Sequence, residues 1–165
     1  MKGKSTNLEL LSRHGSGDIY FDHATKQRSF IATRDIKKGE IVYTFGPKQV
    51  QNYPTYLTVQ TGADRHIVLD PEFLAAINHG CNPNVWFNVD TYELVCVRDI
   101  RTGEQMTYFY PSTEWNMTQP FDCTCGSHNC HGYIQGAAHL DPEVMAQYDT
   151  SKFIQSQLKS VAELV

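Results

Sequence analysis

Three cysteines crowd into eight positions near the C-terminal end of the chain, and no other feature constrains the fold as strongly. The stretch PFDCTCGSHNC, residues 120–130, contains Cys123, Cys125 and Cys130. Three thiolates are one ligand short of the four that a structural zinc ion usually takes. The spacing therefore predicts a metal site that ties this segment to a distant part of the chain.

Two further cysteines can supply the fourth ligand. Cys96 lies within the apolar run ELVCV, where a small hydrophobic residue is expected, so we assign it to the core. Cys81 follows a helix-stopping glycine and precedes Asn-Pro, so it lies on a polar turn from which its thiolate can reach a metal. The sequence favours Cys81. His128 and His131 are the competing ligands, and a cluster that binds no ion is the remaining alternative.

Composition indicates one folded domain that acts inside the cell. The 165 residues are 41% hydrophobic and 19% charged, without a low-complexity tract. The net charge of −4 and the lack of a basic stripe argue against direct nucleic-acid binding. Because no apolar stretch suits a signal peptide or a membrane span, we expect a cytoplasmic or nuclear protein without a membrane partner. Cysteines stay reduced there, which favours metal binding over disulfides.

The chain is predicted to be mostly β, with short helices. Runs rich in β-branched and aromatic residues, separated by turn residues, indicate short strands. These runs lie at 29–33, 41–45, 55–60, 65–69, 85–89, 92–97 and 104–109. Two near-copies, RDIKKGE and RDIRTGE, each predict a polar turn in which glycine supplies a special backbone angle.

Helix signals are confined to two places. DPEFLAAINHG offers Asp70 as an N-cap, Pro71 at the first position and Gly80 as a stop, and Asp141 repeats this cap chemistry in the tail. The last segment carries an apolar stripe at helical spacing, which we expect to dock on the body, with a homodimer face as the alternative. The residues of this stripe are Phe153, Ile154, Leu158, Val161 and Val165.

Three motifs in register resemble a known family. INHGCNPN (77–84), RDIRTGEQMTYFY (98–110) and CTCGSHNCHGYI (123–134) look like the SET-domain protein lysine methyltransferases that carry a zinc-binding post-SET segment. FIATRDIKKGEIV (30–42) is similar to the opening strand and turn of that family. The resemblance covers residues 27–134, most of the chain.

The resemblance implies a fold and a division of the chain. The fold would be β-clip-like, a set of small twisted sheets in which residues 104–110 thread beneath the loop 78–84 as a pseudoknot. Residues 1–118 would form the SET domain, 119–136 the post-SET zinc-binding segment, and 137–165 a C-terminal helical extension.

The resemblance also implies an activity and its ligands. The protein would transfer a methyl group from S-adenosylmethionine to a lysine side-chain amine of a protein or peptide substrate. Asn78, His79 and Tyr110 would bind this cofactor. Cys81 would join the three tail cysteines in holding one structural Zn²⁺ ion.

Three tyrosines are expected to act on the substrate. Tyr110 matches the family's catalytic tyrosine, and Tyr108 matches a position where tyrosine is associated with transfer of a single methyl group. Tyr56 is expected to be a further wall of the lysine channel. Tyrosines suit such a channel because the ring excludes water while the hydroxyl orients the amine. Ordinary half-buried packing is the alternative for each of them.

The chain departs from the family pattern at three places. The Gly-x-Gly that usually opens the first strand is Gln27-Arg28-Ser29, where we expect Arg28 to contact the cofactor carboxylate through charge-assisted hydrogen bonds. The serine of Asn-His-Ser-Cys is Gly80, and the aspartate of the tyrosine motif is Phe109.

Two other functions remain open. One is a SET-like enzyme that acts on a small molecule, as a methyl transferor or in another biosynthetic step. The other is a non-catalytic SET-like binding module that has lost its affinity for the cofactor.

Overall fold

Small separate sheets, rather than one large sheet, form the body of the protein in the computed structural model, which describes residues 7–164. This confirms the predicted fold class, mostly β with short helices. The predicted stripe residue Val165 and the first six residues of the predicted SET domain lie outside the described range. No helix within that range is both long and apolar enough to cross a membrane.

The strands are short because turn residues interrupt the apolar runs. In chain order they are β1 (Leu8–Arg13), β2 (Gly17–Asp22), β3 (Gln27–Ala32), β4 (Ile41–Thr44), β5 (Gly46–Gln51), β6 (Thr58–Gly62), β7 (Arg65–Asp70), β8 (Asn78–His79), β9 (Val85–Asn88), β10 (Glu93–Cys96), β11 (Thr107–Tyr108), β12 (Phe121–Asp122) and β13 (Tyr133–Ile134).

Antiparallel pairing builds three three-stranded sheets, in the orders β1-β2-β3, β4-β10-β9 and β5-β7-β6. Two further pairs have two residues per strand: β12 with β13, antiparallel, and β8 with β11, parallel. The strands predicted between 29 and 97 are confirmed, with shifted ends. The strand predicted at 104–109 is shorter, because residues 104–106 meet β3 only in an isolated bridge between Gln105 and Ile31, where the Glu104 carbonyl accepts from Ala32 and the Met106 N–H donates to Phe30.

The helix predicted from Asp70 to Gly80 is wrong in most of its length. Only a 3₁₀ turn, Glu72–Ala76, forms there, and no side chain caps its start. Asn78 and His79 are extended because they pair with β11 instead of continuing the helix. Two residues expected to end a helix therefore belong to a sheet.

The tail is helical, as predicted. α1 (Pro142–Met145) begins at Asp141, whose carboxylate accepts a hydrogen bond from the Glu143 N–H, and α2 (Lys152–Glu163) begins at Ser151. Two more 3₁₀ turns, Tyr110–Ser112 and Ala137–His139, lie between the sheets and these helices.

Two hydrophobic clusters hold the elements together. The larger fills the space between the sheets, and Cys96 belongs to it, as predicted. The second joins the tail to the body through Phe109, Met145 and Ile154, all buried, with Phe153 and Leu158 packed against them. Docking of the α2 stripe is therefore confirmed for its first half, whereas Val161 is exposed.

The two near-copied turns, 34–40 and 98–104, bind each other. The backbones of Ile36 and Ile100 exchange two hydrogen bonds of 2.8 Å, and both side chains are buried. Each turn also offers an aspartate to the other. These bonds, each 2.8 Å long, run from the Lys38 N–H to Asp99 and from the Thr102 N–H to Asp35.

The side chain of one buried asparagine adds to the β8–β11 pairing between the loop 78–84 and the segment 105–108. Asn84 is buried, and its side chain accepts from the Thr107 N–H at 2.9 Å and donates to the Gln105 carbonyl at 2.9 Å. Gly80 allows the close approach, because a Cβ at this position would lie 2.6 Å from the Thr107 hydroxyl oxygen. The contact between loop and segment that the resemblance implies is thus present.

We predict that Gly17→Ala destabilises the protein by about 1–3 kcal/mol, the usual cost of overpacking a core. A Cβ at Gly17 would lie 2.3 Å from the ring of Phe30, which is fully buried and cannot move aside freely. Urea unfolding followed by circular dichroism measures the change. Gly46→Ala is the matched control, because Gly46 also lies in a strand but has nothing within 4 Å of its Cβ position. Equal stability of the two variants would contradict the prediction.

Candidate active site and metal centre

Four cysteines meet where the loop 78–84 contacts the tail segment. The sulfurs of Cys81, Cys123, Cys125 and Cys130 all lie within 4.8 Å of one another, and those of Cys81 and Cys123 are 3.9 Å apart. Thiolates bound to zinc at about 2.3 Å in a tetrahedron lie about 3.8 Å from each other. The four side chains predicted as ligands therefore have the spacing of a four-sulfur metal site.

The competing histidine ligands do not join this cluster. His131 turns its ring to the Tyr148 hydroxyl, with 2.8 Å between Nε2 and the oxygen, and His128 is not part of the group. The Tyr148 hydroxyl donates to the Cys81 carbonyl at 2.7 Å, so the His131 Nε2 must carry the proton of the bond between them. His131 therefore contacts the site indirectly, through its hydrogen bond to Tyr148, and is not one of the clustered ligands.

Two of the four thiols, those of Cys81 and Cys123, resist ionisation because they are shielded from water. Burial raises the pKa of the Cys123 thiol to about 11, and it also raises the pKa of Cys81. Two N–H groups point at the Cys81 sulfur, the His131 backbone at 3.5 Å and the His79 ring at 3.4 Å. Such donors stabilise the negative charge of a metal-bound thiolate. Against the effect of burial, hydrogen bonds from Ser127 lower the pKa of the Cys125 thiol to about 6, so this ligand ionises readily. The donor set therefore fits a site that binds a cation.

His79 connects the cysteine cluster to the tyrosine motif. Its Nδ1 accepts a hydrogen bond from the Tyr110 N–H at 3.1 Å, so in the neutral ring Nε2 carries the proton that points at Cys81. Burial lowers the pKa of His79 to about 4, which keeps the ring neutral. Both ring nitrogens therefore have partners within the protein. If His79 contacts a cofactor as predicted, it must use its backbone or the face of its ring.

Tyr108 and Tyr110 lie side by side at the wall of a large cavity. Their ring centroids are 4.7 Å apart, and the ring of Tyr108 also packs edge-on against Phe87 at 4.6 Å. Removal from water raises the pKa of Tyr110 to about 12 and raises that of Tyr108 well above its ordinary value. Both hydroxyls therefore stay protonated at neutral pH and can donate hydrogen bonds.

The cavity brings together the predicted cofactor and substrate residues. Its volume is about 1170 Å³, which exceeds the roughly 300–1000 Å³ of most small-molecule sites, so it has room for a cofactor and an amine. Cys123 and Cys125 line it as well, so the metal cluster forms part of its boundary. The predicted residues that line it are Arg28, Tyr56, Asn78, His79, Tyr108 and Tyr110.

Two of these residues lie at the open side of the cavity. Arg28 is exposed on β3 and forms no salt bridge within the described chain, while its carbonyl accepts the Asn78 side-chain amide at 2.6 Å. Tyr56 is 78% exposed, so it borders the mouth of the cavity and is not enclosed as a channel wall.

Phe109 explains how the chain tolerates one departure from the family pattern. Its ring is buried and stacks on Tyr148 of the tail, with centroids 3.7 Å apart and ring planes 12° from parallel. An aspartate at this position would place a charge against an aromatic ring in an apolar cluster. Phe109 is therefore part of the apolar contact that docks the helical tail.

Sequence reasoning missed Glu114, which lines the same cavity. Its Oε2 accepts hydrogen bonds from the Gln60 N–H at 3.0 Å and from the Thr113 hydroxyl at 2.7 Å. The Gln60 side chain accepts in turn from the Trp115 N–H at 3.0 Å, which fixes this segment to β6. The signal was present as a lone acidic residue four positions after Tyr110.

Comparison with known proteins places the chain in a family. The SET domain profile matches residues 27–111. The methyltransferase flvH of Aspergillus flavus is 36% identical over 142 residues, which cover 74% of this chain and 79% of flvH. The histone-lysine N-methyltransferase set9 of Schizosaccharomyces pombe is 30% identical over 130 residues, 68% of this chain and 28% of set9. The histone-lysine N-methyltransferase ASHR3 of Arabidopsis thaliana is 32% identical over 75 residues, 42% of this chain and 14% of ASHR3. The chain belongs to the SET-domain family of methyltransferases.

We predict that the purified protein contains one zinc ion per chain and that Cys81→Ser loses most of it, because a structural site needs all four ligands. Inductively coupled plasma mass spectrometry measures the zinc. Cys96→Ser is the matched control, since Cys96 is equally buried but lies in the larger core. Zinc retained in Cys81→Ser, or lost equally in both variants, would show that Cys81 is not the fourth ligand.

Proposed function

We propose that this protein is an S-adenosylmethionine-dependent methyltransferase that modifies a lysine side-chain amine of a protein substrate. The observation that carries the proposal is the pair Tyr108 and Tyr110, which lies in one cavity with Asn78 and Arg28. The Tyr110 N–H also bonds to His79, whose ring contacts Cys81 of the cysteine cluster. Relatives named as histone-lysine N-methyltransferases support it.

The cavity fits the proposed cofactor chemically. S-adenosylmethionine, when bound, supplies a methyl group on a positively charged sulfur. The guanidinium of Arg28, without an ion pair in the described chain, suits the carboxylate of its methionine part. The Asn78 Oδ1 accepts no hydrogen bond from the described residues and can receive an N–H of a ligand. Aromatic faces such as that of Tyr110 favour a cation beside them.

The four cysteines are proposed to hold one structural zinc ion. The ion would fasten residues 123–130 to the loop that carries Cys81, and so would fix the cavity wall formed by residues 116–125. Metal binding of this kind contributes on the order of 10 kcal/mol to folding. We therefore propose that zinc stabilises this wall of the cavity and takes no part in methyl transfer.

The tyrosine pair is proposed to prepare the amine. A lysine amine has a pKa of about 10.4 in water, so it must lose a proton before it can attack a methyl group. A cavity with little water lowers that pKa, because burial disfavours the charged form. The Tyr108 hydroxyl occupies space beside the amine, so transfer of a single methyl group remains the expectation for this position.

A small amine is the second candidate substrate. The relative flvH, which the chain covers over 79% of its length, is named a methyltransferase without a histone or protein substrate. The cavity is wide, and Tyr56 at its mouth is exposed, so a whole small molecule can enter. This candidate keeps the cofactor and the tyrosine pair of the first.

Incubation of cell lysate with the protein and methyl-labelled S-adenosylmethionine distinguishes the two candidates. We expect label in discrete protein bands on a gel, with monomethyl-lysine as the main product by mass spectrometry. Label found only in the small-molecule fraction would favour the second candidate. Absence of cofactor binding by calorimetry at millimolar concentration would exclude both.

We predict that Tyr110→Phe lowers kcat about 100-fold, the usual effect of losing one hydrogen-bond donor that acts on the reacting groups. Cofactor affinity should change little, because the ring and the backbone bond to His79 remain. A methyl-transfer assay quenched at fixed times measures kcat, and calorimetry measures the affinity for S-adenosylmethionine. Tyr53→Phe, at an exposed tyrosine outside the cavity lining, is the matched control. Unchanged turnover in Tyr110→Phe would remove this tyrosine from catalysis.

A further inference from the structure

Glu114 presents a carboxylate with one free oxygen to the cavity. Oε2 is fixed by the Gln60 N–H and the Thr113 hydroxyl, whereas Oε1 accepts no hydrogen bond from any described residue. The backbone around it is also held, because the Glu114 N–H donates to the Tyr110 carbonyl at 3.0 Å and the Glu114 carbonyl accepts from Ala137 at 2.9 Å. The carboxylate is therefore positioned rigidly, with one oxygen left for a ligand.

No basic side chain of the described chain pairs with this carboxylate. The salt bridges within residues 7–164 use other acidic groups, and the titratable groups that face Glu114 are the phenols of Tyr108 and Tyr110. The adjacent strand β6 contributes Gln60, and β7 beside it contributes His66, whose pKa is lowered by burial. An unpaired carboxylate that has lost much of its water is stabilised by a cation of a ligand.

We propose that Glu114 binds the ammonium group of the substrate amine and accepts the proton that the amine must lose before methylation. This rests on the proposed function, and it holds for either candidate substrate. In the step, an N–H bond of the ammonium breaks, its electron pair stays on nitrogen, and the proton bonds to Oε1. A neutral amine faces Tyr108 and Tyr110, and Glu114 becomes a neutral acid that returns its proton to water after product release.

The environment of Glu114 suits a proton acceptor. Removal from water raises its pKa to about 7, whereas a glutamate in water has a pKa of about 4.3. In water the pKa values of an amine and this carboxylate differ by about 6 units, and burial of the pair brings them closer because it disfavours both charges. Proton transfer within the pair leaves two neutral groups, which burial favours over two charged ones.

The first test uses binding alone, with n-butylammonium as the probe and 1-butanol as its neutral counterpart. We expect the wild-type protein to bind n-butylammonium at least tenfold more tightly, as for a hydrogen bond to a charged group. Glu114→Gln should lose this preference, and Glu114→Asp should keep part of it. Glu72→Gln should retain it, because Glu72 is also at the cavity but is exposed and paired with Lys48. Titrations followed by nuclear magnetic resonance give the affinities. Equal affinity for both probes, or a preference retained in Glu114→Gln, would overturn the proposal.

The second test uses pH. Because Glu114 must be ionised to bind the ammonium, affinity of the wild-type protein for n-butylammonium should rise as pH increases through about 7 and then level off. A flat affinity between pH 5.5 and 8.5 would overturn the proposal, even if Glu114→Gln did not fold. In the methyl-transfer assay, Glu114→Gln should shift the rise of rate with pH towards the higher pKa of the amine itself. Calorimetry with S-adenosylmethionine is separate, so failure of cofactor binding would reject the proposed function while the probe results still decide the role of Glu114.

Discussion

The rest of the site depends on the hydrogen bonding between the loop 78–84 and the segment 105–110. The parallel ladder there is two residues long, too short to fix a geometry by itself. The buried Asn84 side chain and the His79 ring add further bonds to the same segment, and polar bonds strengthen where water is excluded. Because the same loop carries Cys81, the position of Tyr110, the metal cluster and the cavity wall are set together.

The C-terminal tail contributes contacts to this site. Tyr148 stacks on Phe109, donates to the Cys81 carbonyl and accepts a bond from His131. One side chain therefore contacts the tyrosine motif, the loop and the metal segment at once. This explains why Phe109 replaces an acidic residue here: the apolar cluster that docks α1 and α2 needs an aromatic ring at that position.

Local signals in the sequence predicted what depends on local chemistry. The cysteine spacing, the Asp141 cap, the α2 stripe and the core position of Cys96 follow from residue type and periodicity. The structure agrees with all of them except the second half of the stripe, where Val161 is exposed. β8 could not be predicted in this way, because its partner lies 29 positions further along the chain and overrides a helical pattern. β1 and β5 were missed because their side chains are mostly exposed and so show no clear apolar alternation. Glu114 gains its role from the shape of a cavity, which no local pattern encodes.

The mutual binding of the two near-copied turns has a consequence for how the chain reaches its native state. The aspartate bonds that join them link residues 61 and 67 positions apart, and each turn supplies the partner that the other needs. Neither turn can form all of its hydrogen bonds until the intervening residues have closed into a loop. The entropy cost of that closure arises before the favourable contact forms. We therefore expect the folding rate to depend on how fast these two turns dock.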